Sequence, residues 1–281
     1  MSAIAAELVG HLERLALAGP LPAVRALHLP PPAAEGSRDG EFCAIELDDG
    51  SLGLSFVLLG DTLATLREGG GHAARRGMPA LQLARQYADA HGAQRALGFA
   101  AVNALTRHLF DRAGYQPPAA GGSIGELDLQ PGDHLGKIGL FPPLVRQVLA
   151  SGAQLTVVEL RADLAGPREG WHVTLDAAEL AGCNKILSTS TVLLNDTLDE
   201  VLRHTRHAER VAVVGPGAGC LPDPLFARGV TLLGGTWVLD GEAFKAALQA
   251  GRPWGAFVRK FALHRDAYPG FDQLLARAAR P

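Results

Sequence analysis

Leu135-Gly136-Lys137-Ile138-Gly139-Leu140-Phe141-Pro142-Pro143-Leu144-Val145 decides how this chain folds. A short apolar run breaks at Gly139, and a helical pattern begins at once behind two prolines. Proline is tolerated in a first helical turn, where its missing N–H would have had no partner. Leu144, Val145, Val148 and Leu149 then recur at helical spacing until Ser151-Gly152. The stretch reads as the first strand, first turn and first helix of an α/β unit.

The same alternation continues downstream. Apolar strands are expected over 155–160, 183–188, 211–214 and 230–233, with 162–170 a polar loop. Thr197-Leu198-Asp199-Glu200 has the form of a capping box opening a helix. Asp223-Pro224 caps a short helix that Gly229 ends, and Asp240 caps another that Gly251 ends. The tail is less regular, with a terminal helix around 271–279. Apolar strands alternating with helices predict a parallel sheet covered on both faces, with right-handed crossovers.

Upstream the pattern differs. Ile4, Leu8, Leu12 and Leu15 mark a helix over 3–18, ended by Gly19-Pro20. A strand is expected over 24–29, then a loop from Pro30 to Gly40. Runs 42–47 and 52–57 flank Asp48-Asp49-Gly50-Ser51, where Asp-Gly supplies a hairpin turn. Helices follow over 79–91 and 94–112. Pro and Gly cluster at Gln116–Ser123 as the periodicity stops, which puts a domain boundary between 115 and 133. A smaller α+β domain (1–120) then precedes an α/β domain (121–281). No fixed-period repeat is present, which excludes solenoids and propellers.

Composition narrows the function classes. In 281 residues, 47% are hydrophobic, enough for a sizeable core, and the net charge is −3. There is no basic excess to neutralise phosphates, so nucleic acid is not the expected partner. No run of about 18 apolar residues would span a membrane. The first residues lack the basic start of a signal peptide, and Glu7 and Glu13 interrupt the apolar pattern. Three widely spaced cysteines, Cys43, Cys183 and Cys220, form no Cys-x-x-Cys. Free thiols in a reducing, cytoplasmic setting are expected.

In open parallel sheets, ligands bind beyond the carboxyl ends of the strands. Here those ends carry Gly139, Phe141 and Pro142, then Glu159, then Thr189, Ser190 and Thr191, then Gly215 and Gly217, then Gly234. Short turns need small residues in any case. Glu159 lies 20 residues beyond Gly139, where an acid in nucleotide-binding folds holds a ribose hydroxyl. A salt-bridged strand-end glutamate explains it equally. The turn lacks Gly-x-Gly-x-x-Gly, and Phe141 occupies the place a pyrophosphate would need. The Thr189–Thr191 hydroxyls precede a helix start that either favours anions or is simply capped by them. Asn103, alone in an apolar helix, either bonds nearby backbone or faces a ligand at the domain boundary. Gly69-Gly70-Gly71-His72 with Arg75 and Arg76 is a solvated loop or a mobile clamp on an anion.

Metal-ligand spacing is missing. His204 and His207 sit at i, i+3 near a helix C-terminus, where cationic side chains are favoured for their own sake. His134 and His172 are isolated. Cys220 is the best-placed soft ligand, beyond the fourth strand, although a buried inert thiol is the default. No Gly-x-Ser-x-Gly elbow is present. Asp48-Asp49 lie in a turn, and Asp196, Asp199 and Glu200 read as first-turn helix charges.

Ile138-Gly139-Leu140-Phe141-Pro142-Pro143-Leu144, Val158-Glu159, the run from Thr189 to Leu198, Val214-Gly215-Pro216, Gly229-Val230 and Leu233-Gly234-Gly235 together resemble the putative heavy-metal chelation family. Leu97-Gly98-Phe99-Ala100-Ala101-Val102-Asn103-Ala104 resembles the enolase-N-terminal-like domain that often precedes it. The resemblance runs from about residue 40 to 250. It implies a Rossmann-like parallel sheet with helices on both faces, a smaller enolase-N-terminal-like α+β domain, and a site at their interface. Heavy-metal chelation and a link to tetrapyrrole or cobalamin-type cofactor metabolism have been suggested for such proteins. This chain departs from the pattern at Ser190, Val192, Asp196, Gly217 and Ala218, which alters the polarity of two loops.

Three functions follow as expectations. The first is binding of, or action on, a small anionic or metal-chelating molecule between the domains. Asn103, Phe141, Glu159, Thr189, Asn195 and Gly215 would be its leading residues. The second is an enzyme using a nucleoside-type cofactor such as S-adenosylmethionine. The third is direct carriage of a transition or heavy metal by Cys220 and a histidine. Oligomeric state is not legible.

Overall fold

The computed structural model describes all residues except 1, 33–40, 70–74, 122–125, 196 and 281. The chain opens with α1 (Ala3–Ala18), whose Ile4, Leu8, Leu12 and Leu15 are buried as their spacing requires. β1 (Val24–His28), β2 (Phe42–Leu47) and β3 (Leu52–Phe56) form an antiparallel sheet in that order. The β2–β3 hairpin turns at Gly50, which has φ +87°, as an Asp-Gly turn needs. α2 (Thr62–Glu68), α3 (Ala80–Asp89) and α4 (Gly92–Arg112) follow; α2 had no periodic signal in the sequence.

α4 is buried nearly all round from Ala93 to Phe110, and holds Arg95, Asn103, Thr106 and His108 inside with its apolar residues. Two glycines let backbones cross it. A Cβ on Gly98 would lie 2.2 Å from the Tyr87 backbone nitrogen, and one on Gly53 would lie 2.1 Å from that of Ala104. Neither position admits a side chain.

The second sheet has eight strands in the order β11-β10-β9-β8-β4-β5-β7-β6. These are β4 (His134–Ile138), β5 (Gln154–Val158), β6 (Gly166–Arg168), β7 (Trp171–Thr174), β8 (Lys185–Thr189), β9 (Arg210–Val214), β10 (Leu232–Val238) and β11 (Val258–His264). The strands from β7 to β10 run parallel, whereas β6 and β11 are antiparallel edges. α5 (Pro142–Ala150), α6 (Leu198–His204), α7 (Asp223–Phe226), α8 (Gly241–Gln249) and α9 (Phe271–Ala278) complete the chain. The α/β fold with a large, mostly parallel sheet and a small antiparallel one is the architecture expected.

Several local expectations are corrected. Residues 162–170 are not one polar loop: β6 pairs with β7, and β7 adds in parallel to β5. The irregular tail contains β11, paired along the whole of β10. β10 does not stop at Leu233 but runs through Gly234 and Gly235, so these glycines lie inside a strand. Thr197 forms no capping box. Its hydroxyl donates to Asn195 Oδ1 at 2.7 Å instead. His204 ends α6, so His207 does not share its helix face. Asp223 lies inside α7 and caps α9 instead, accepting from Phe271 N at 2.8 Å. Asp240 caps α8 as expected, accepting from Ala243 N.

One hydrophobic core runs across both halves of the chain. Leu97, Phe99 and Leu105 of α4 share it with Val192, Leu221 and Leu233 beyond the linker. A second cluster lies on the other face of the large sheet. There Leu144, Val145 and Val148 of α5 cover Leu135, Leu155, Val157 and Leu187. No helix among the described residues is long and apolar enough to cross a membrane.

Candidate functional site

The chain passes from β4 outward to β5 and β7, then returns to start β8 on the other side of β4. The carboxyl ends of β4 and β8 therefore flank the topological switch point, the place where open parallel sheets generally take ligands. Gly139 takes φ +82° to turn the chain from β4 toward α5. A Cβ there would meet Thr189 Cγ2 at 3.2 Å, so two of the expected residues adjoin across the switch.

The turn spends its own hydrogen-bonding groups. Gly139 N donates to Val158 O and Leu144 N to Phe141 O. Leu140 N donates to Glu159 Oε1, and Leu160 N donates to Glu159 Oε2 at 3.1 Å. Glu159 thus fastens the β4 turn to the end of β5. Phe141 is the N-cap residue of α5 and is 44% exposed, and Pro142 and Pro143 follow. A helix start with two prolines has few free N–H groups to offer a phosphate.

Beyond β8 the hydroxyls serve the backbone. Thr189 Oγ1 accepts from Thr191 N at 3.5 Å and from Thr191 Oγ1 at 3.3 Å, capping a single 3-10 turn. Asn195 Oδ1 accepts from Thr197 N and Oγ1. Asp196 and the Gly70–His72 part of the basic loop lie outside the described residues.

Asn103, Ser190, Gly217 and Cys220 form a buried seam instead of an open rim. Asn103 Nδ2 donates to Leu54 O at 2.7 Å and to Gly217 O at 2.8 Å, tying β3 to the loop after β9. Of the two readings of Asn103, the bonds made by its amide nitrogen are those of the backbone one. Ser190 is buried, and Gly215 lies so close that a Cβ would sit 2.2 Å from Ser190 Oγ. Cys220 is fully buried, and burial pushes its thiol up to about 12.

Open space lies on the α5 face of the sheet. A cavity of about 280 Å³ is lined by Val214, Gly215, Gly234, Thr236, Lys260 and Glu126, among others. Gly234 lies in mid-strand on its wall, where a Cβ would meet Val214 Cγ1 at 3.1 Å. The walls are mainly apolar, with Lys260 and Glu126 as charges, and Glu126 is held by His264 Nε2 at 2.9 Å. Small-molecule sites have this make-up. Gly215 and Gly234 are brought together here, although the second is not at a strand end.

The sequence reading overlooked Lys137. It is 6% exposed, on β4, one residue before the strand ends. Its register neighbours Val157 and Leu187 place it on the α5 face. Among the described residues its ammonium donates only to Ile138 O, at 3.4 Å. Burial pulls its pKa down to about 8, with the Glu159 charge opposing. The signal was a lysine inside a strand flanked by parallel partners on both sides.

Among the described residues no three His, Cys, Asp or Glu side chains are grouped to hold a metal ion. His134 bonds Thr156 Oγ1 and His172 bonds Glu179. The thiols of Cys43 and Cys220 are pushed to about 12 and that of Cys183 to about 11, all by burial. Thiolates bind heavy metals, and burial disfavours thiolates here. The described residues do not fit direct metal ligation.

The family model described as putative heavy-metal chelation (DUF364) matches residues 124–265, just over half the chain. A second model with the same description (DUF4213) matches 40–106. An uncharacterised protein of Methanocaldococcus jannaschii is 31% identical over 153 residues, which are 52% of this chain and 56% of that protein. The match thus spans little more than half the relative's length. Two crystal structures of DUF364 proteins of unknown function share the fold at 19% identity. One, from Pyrococcus horikoshii, has a TM-score of 0.63, covering 94% of this chain and 98% of the other. The other, from Desulfitobacterium hafniense, has 0.65, covering 91% and 98%.

Proposed function

Since the chain belongs to the putative heavy-metal chelation family, we propose that it binds a small metal-chelating or anionic molecule at the carboxyl ends of its parallel strands. The ligand, not the protein, supplies the metal-binding groups. The cavity beside Gly215 and Gly234 carries this reading. It is apolar, with a few polar groups, and floored by a glycine inside a strand. The buried thiols and the scattered histidines support a chelate over a bare ion.

The test is thermal denaturation with nickel, cobalt and zinc, each as the free ion and as its citrate and porphyrin-carboxylate complexes. A chelate should raise the melting temperature where the free ion does not. Gly234→Val, which fills the cavity floor, should weaken that chelate at least tenfold. Stoichiometric binding of free ions with no chelate effect would refute the reading.

A further inference from the structure

Among the buried lysines of the large sheet, Lys137 stands apart. An ammonium taken out of water costs several kcal/mol unless it is paired. Lys185, on the next strand and the same face, is paired: it reaches Asp133 at 2.7 Å and Asp128 O at 2.6 Å. Lys137 has one long contact with a neighbouring carbonyl. Its register neighbour Leu187 belongs to the apolar cluster on this face, together with Leu144, Val145 and Val148 of α5. Glu159 is the charge that acts on Lys137, and both oxygens of that carboxylate already take backbone N–H groups. Among the described residues this cation, one residue from the end of β4, thus has one long hydrogen bond and no carboxylate within ion-pair distance.

The ends of the neighbouring strands carry large apolar side chains. Phe141, Leu160 and Leu175 follow the ends of β4, β5 and β7, and are 44%, 73% and 51% exposed. Large side chains left in water just beyond strand ends suit contact with an apolar ligand body. The prolines after Phe141 remove the N–H cradle that a phosphate would use.

We propose that Lys137 anchors a carboxylate carried on an apolar or aromatic body, with that body lying on Phe141, Leu160 and Leu175. This rests on the reading that ligands enter at the carboxyl ends of the strands. It names a ligand class for a second position along that edge, at β4, β5 and β7, because Lys137 does not line the cavity beside Gly215 and Gly234. The ammonium gives up its contact with Ile138 O and donates to the carboxylate. The ligand then supplies a counter-charge at hydrogen-bond distance, beyond the Glu159 charge that already acts on the amine.

The experiment compares the full-length wild type with Lys137→Met, which keeps the length of the side chain and loses the charge. The probes are 2-naphthoate, 2-naphthyl phosphate and the neutral 2-naphthalenemethanol. Without ligand, Lys137→Met should melt at least about 2 °C higher, because a buried unpaired charge is gone. Naphthoate should stabilise the wild type and bind the variant at least tenfold more weakly. A lower melting point in the variant would mean that Lys137 is structural, and would overturn the proposal. So would equal naphthoate binding by both proteins, stronger binding of the phosphate or the alcohol, or no binding of any probe. Metal chelates seated beside Gly215 and Gly234 should stabilise both proteins alike, so the naphthoate anchor and the chelate-binding reading fail independently.

Discussion

Lys137 and Lys185 lie on the same face of adjacent parallel strands, Lys185 opposite Leu135 and Lys137 opposite Leu187, yet among the described residues only Lys185 has a carboxylate in ion-pair contact. The amino end of this strand pair is built for stability and the carboxyl end is left unbalanced. An uncompensated charge destabilises the fold, so it makes sense where a ligand completes it.

That imbalance should appear as a pH dependence. Lys137 is held near 8 in the fold against an ordinary 10.5. At pH 7 both folded and unfolded chains carry the proton, and the burial penalty is fully present. Between about 8 and 10.5 the unfolded chain holds more protons, so stability rises with pH. The whole effect is on the order of 3 kcal/mol. Urea unfolding at pH 7 and pH 10 should show wild type gaining on Lys137→Met by roughly that amount. A constant difference between the two proteins would mean that the amine is not strained by burial.

Asp133 behaves oppositely. Hydrogen bonds from Lys185, Gln130 N and Asn184 hold its carboxyl down to about 2. Its contribution is present above an unfolded value of 3.8 and is lost as pH falls through about 2. Asp133→Ala leaves the Lys185 ammonium buried with only Asp128 O, and should cost about 3 kcal/mol at pH 7. Chemical denaturation measures it, and in this variant the acid-induced loss between pH 4 and 2 should shrink.

How much of this was legible beforehand depends on which forces set each element. Asp48-Asp49-Gly50-Ser51 and Gly139-Leu140-Phe141-Pro142 were readable because turn geometry and proline position are local. β11 and the β6–β7 hairpin were not, since edge strands carry short or mixed patterns and are made by pairing with a neighbour. Gly234 and Gly235 look like punctuation, yet they lie mid-strand. A Cβ on Gly235 would approach Ala218 O to 2.3 Å, a contact made only after the chain has folded back. Glu159 was singled out correctly as a strand-end acid, but its backbone partners at Leu140 and Leu160 needed coordinates. Lys137 was hidden because a lysine in a five-residue strand resembles a surface residue until both flanking strands are known.

Asn103 should be indispensable to the join between the halves. Asn103→Leu keeps the bulk and strands two buried carbonyls, Leu54 O and Gly217 O. An unmet buried acceptor costs about 1–3 kcal/mol, so a loss of about 3 kcal/mol is expected. Hydrogen exchange should show faster opening of β3 and of the loop after β9. An equally stable variant with unaltered exchange would remove Asn103 from this role.

The backbone crossings on α4 give a sharper contrast. Gly98→Ala forces a methyl to within 2.2 Å of Tyr87 N, which neither helix can relieve without moving apart. Gly182 has nothing within 4 Å of its Cβ position. Gly98→Ala should lose 3 kcal/mol or more, on the order of the cost of overpacking a rigid contact. Gly182→Ala should change stability by less than about 0.5 kcal/mol. Comparing the midpoints of the two unfolding curves checks both.

The cysteines decide between a chelate binder and a direct metal carrier. Cys43 and Cys220 are completely buried, and Cys183 is nearly so. Burial holds their thiols at about 12, 12 and 11, so the thiolate fraction near pH 7 is vanishingly small. A thiol in that state neither alkylates nor exchanges its proton for a metal ion. Iodoacetamide at pH 7.5 should leave the native protein unmodified by mass and label all three cysteines once urea unfolds it. Cys220→Ser should leave the metal content of purified protein unchanged. Rapid native labelling of Cys220, or metal lost on its substitution, would show that the seam around Asn103 and Gly217 opens and exposes a soft ligand. Metal carriage by the protein itself would then replace chelate binding as the better account.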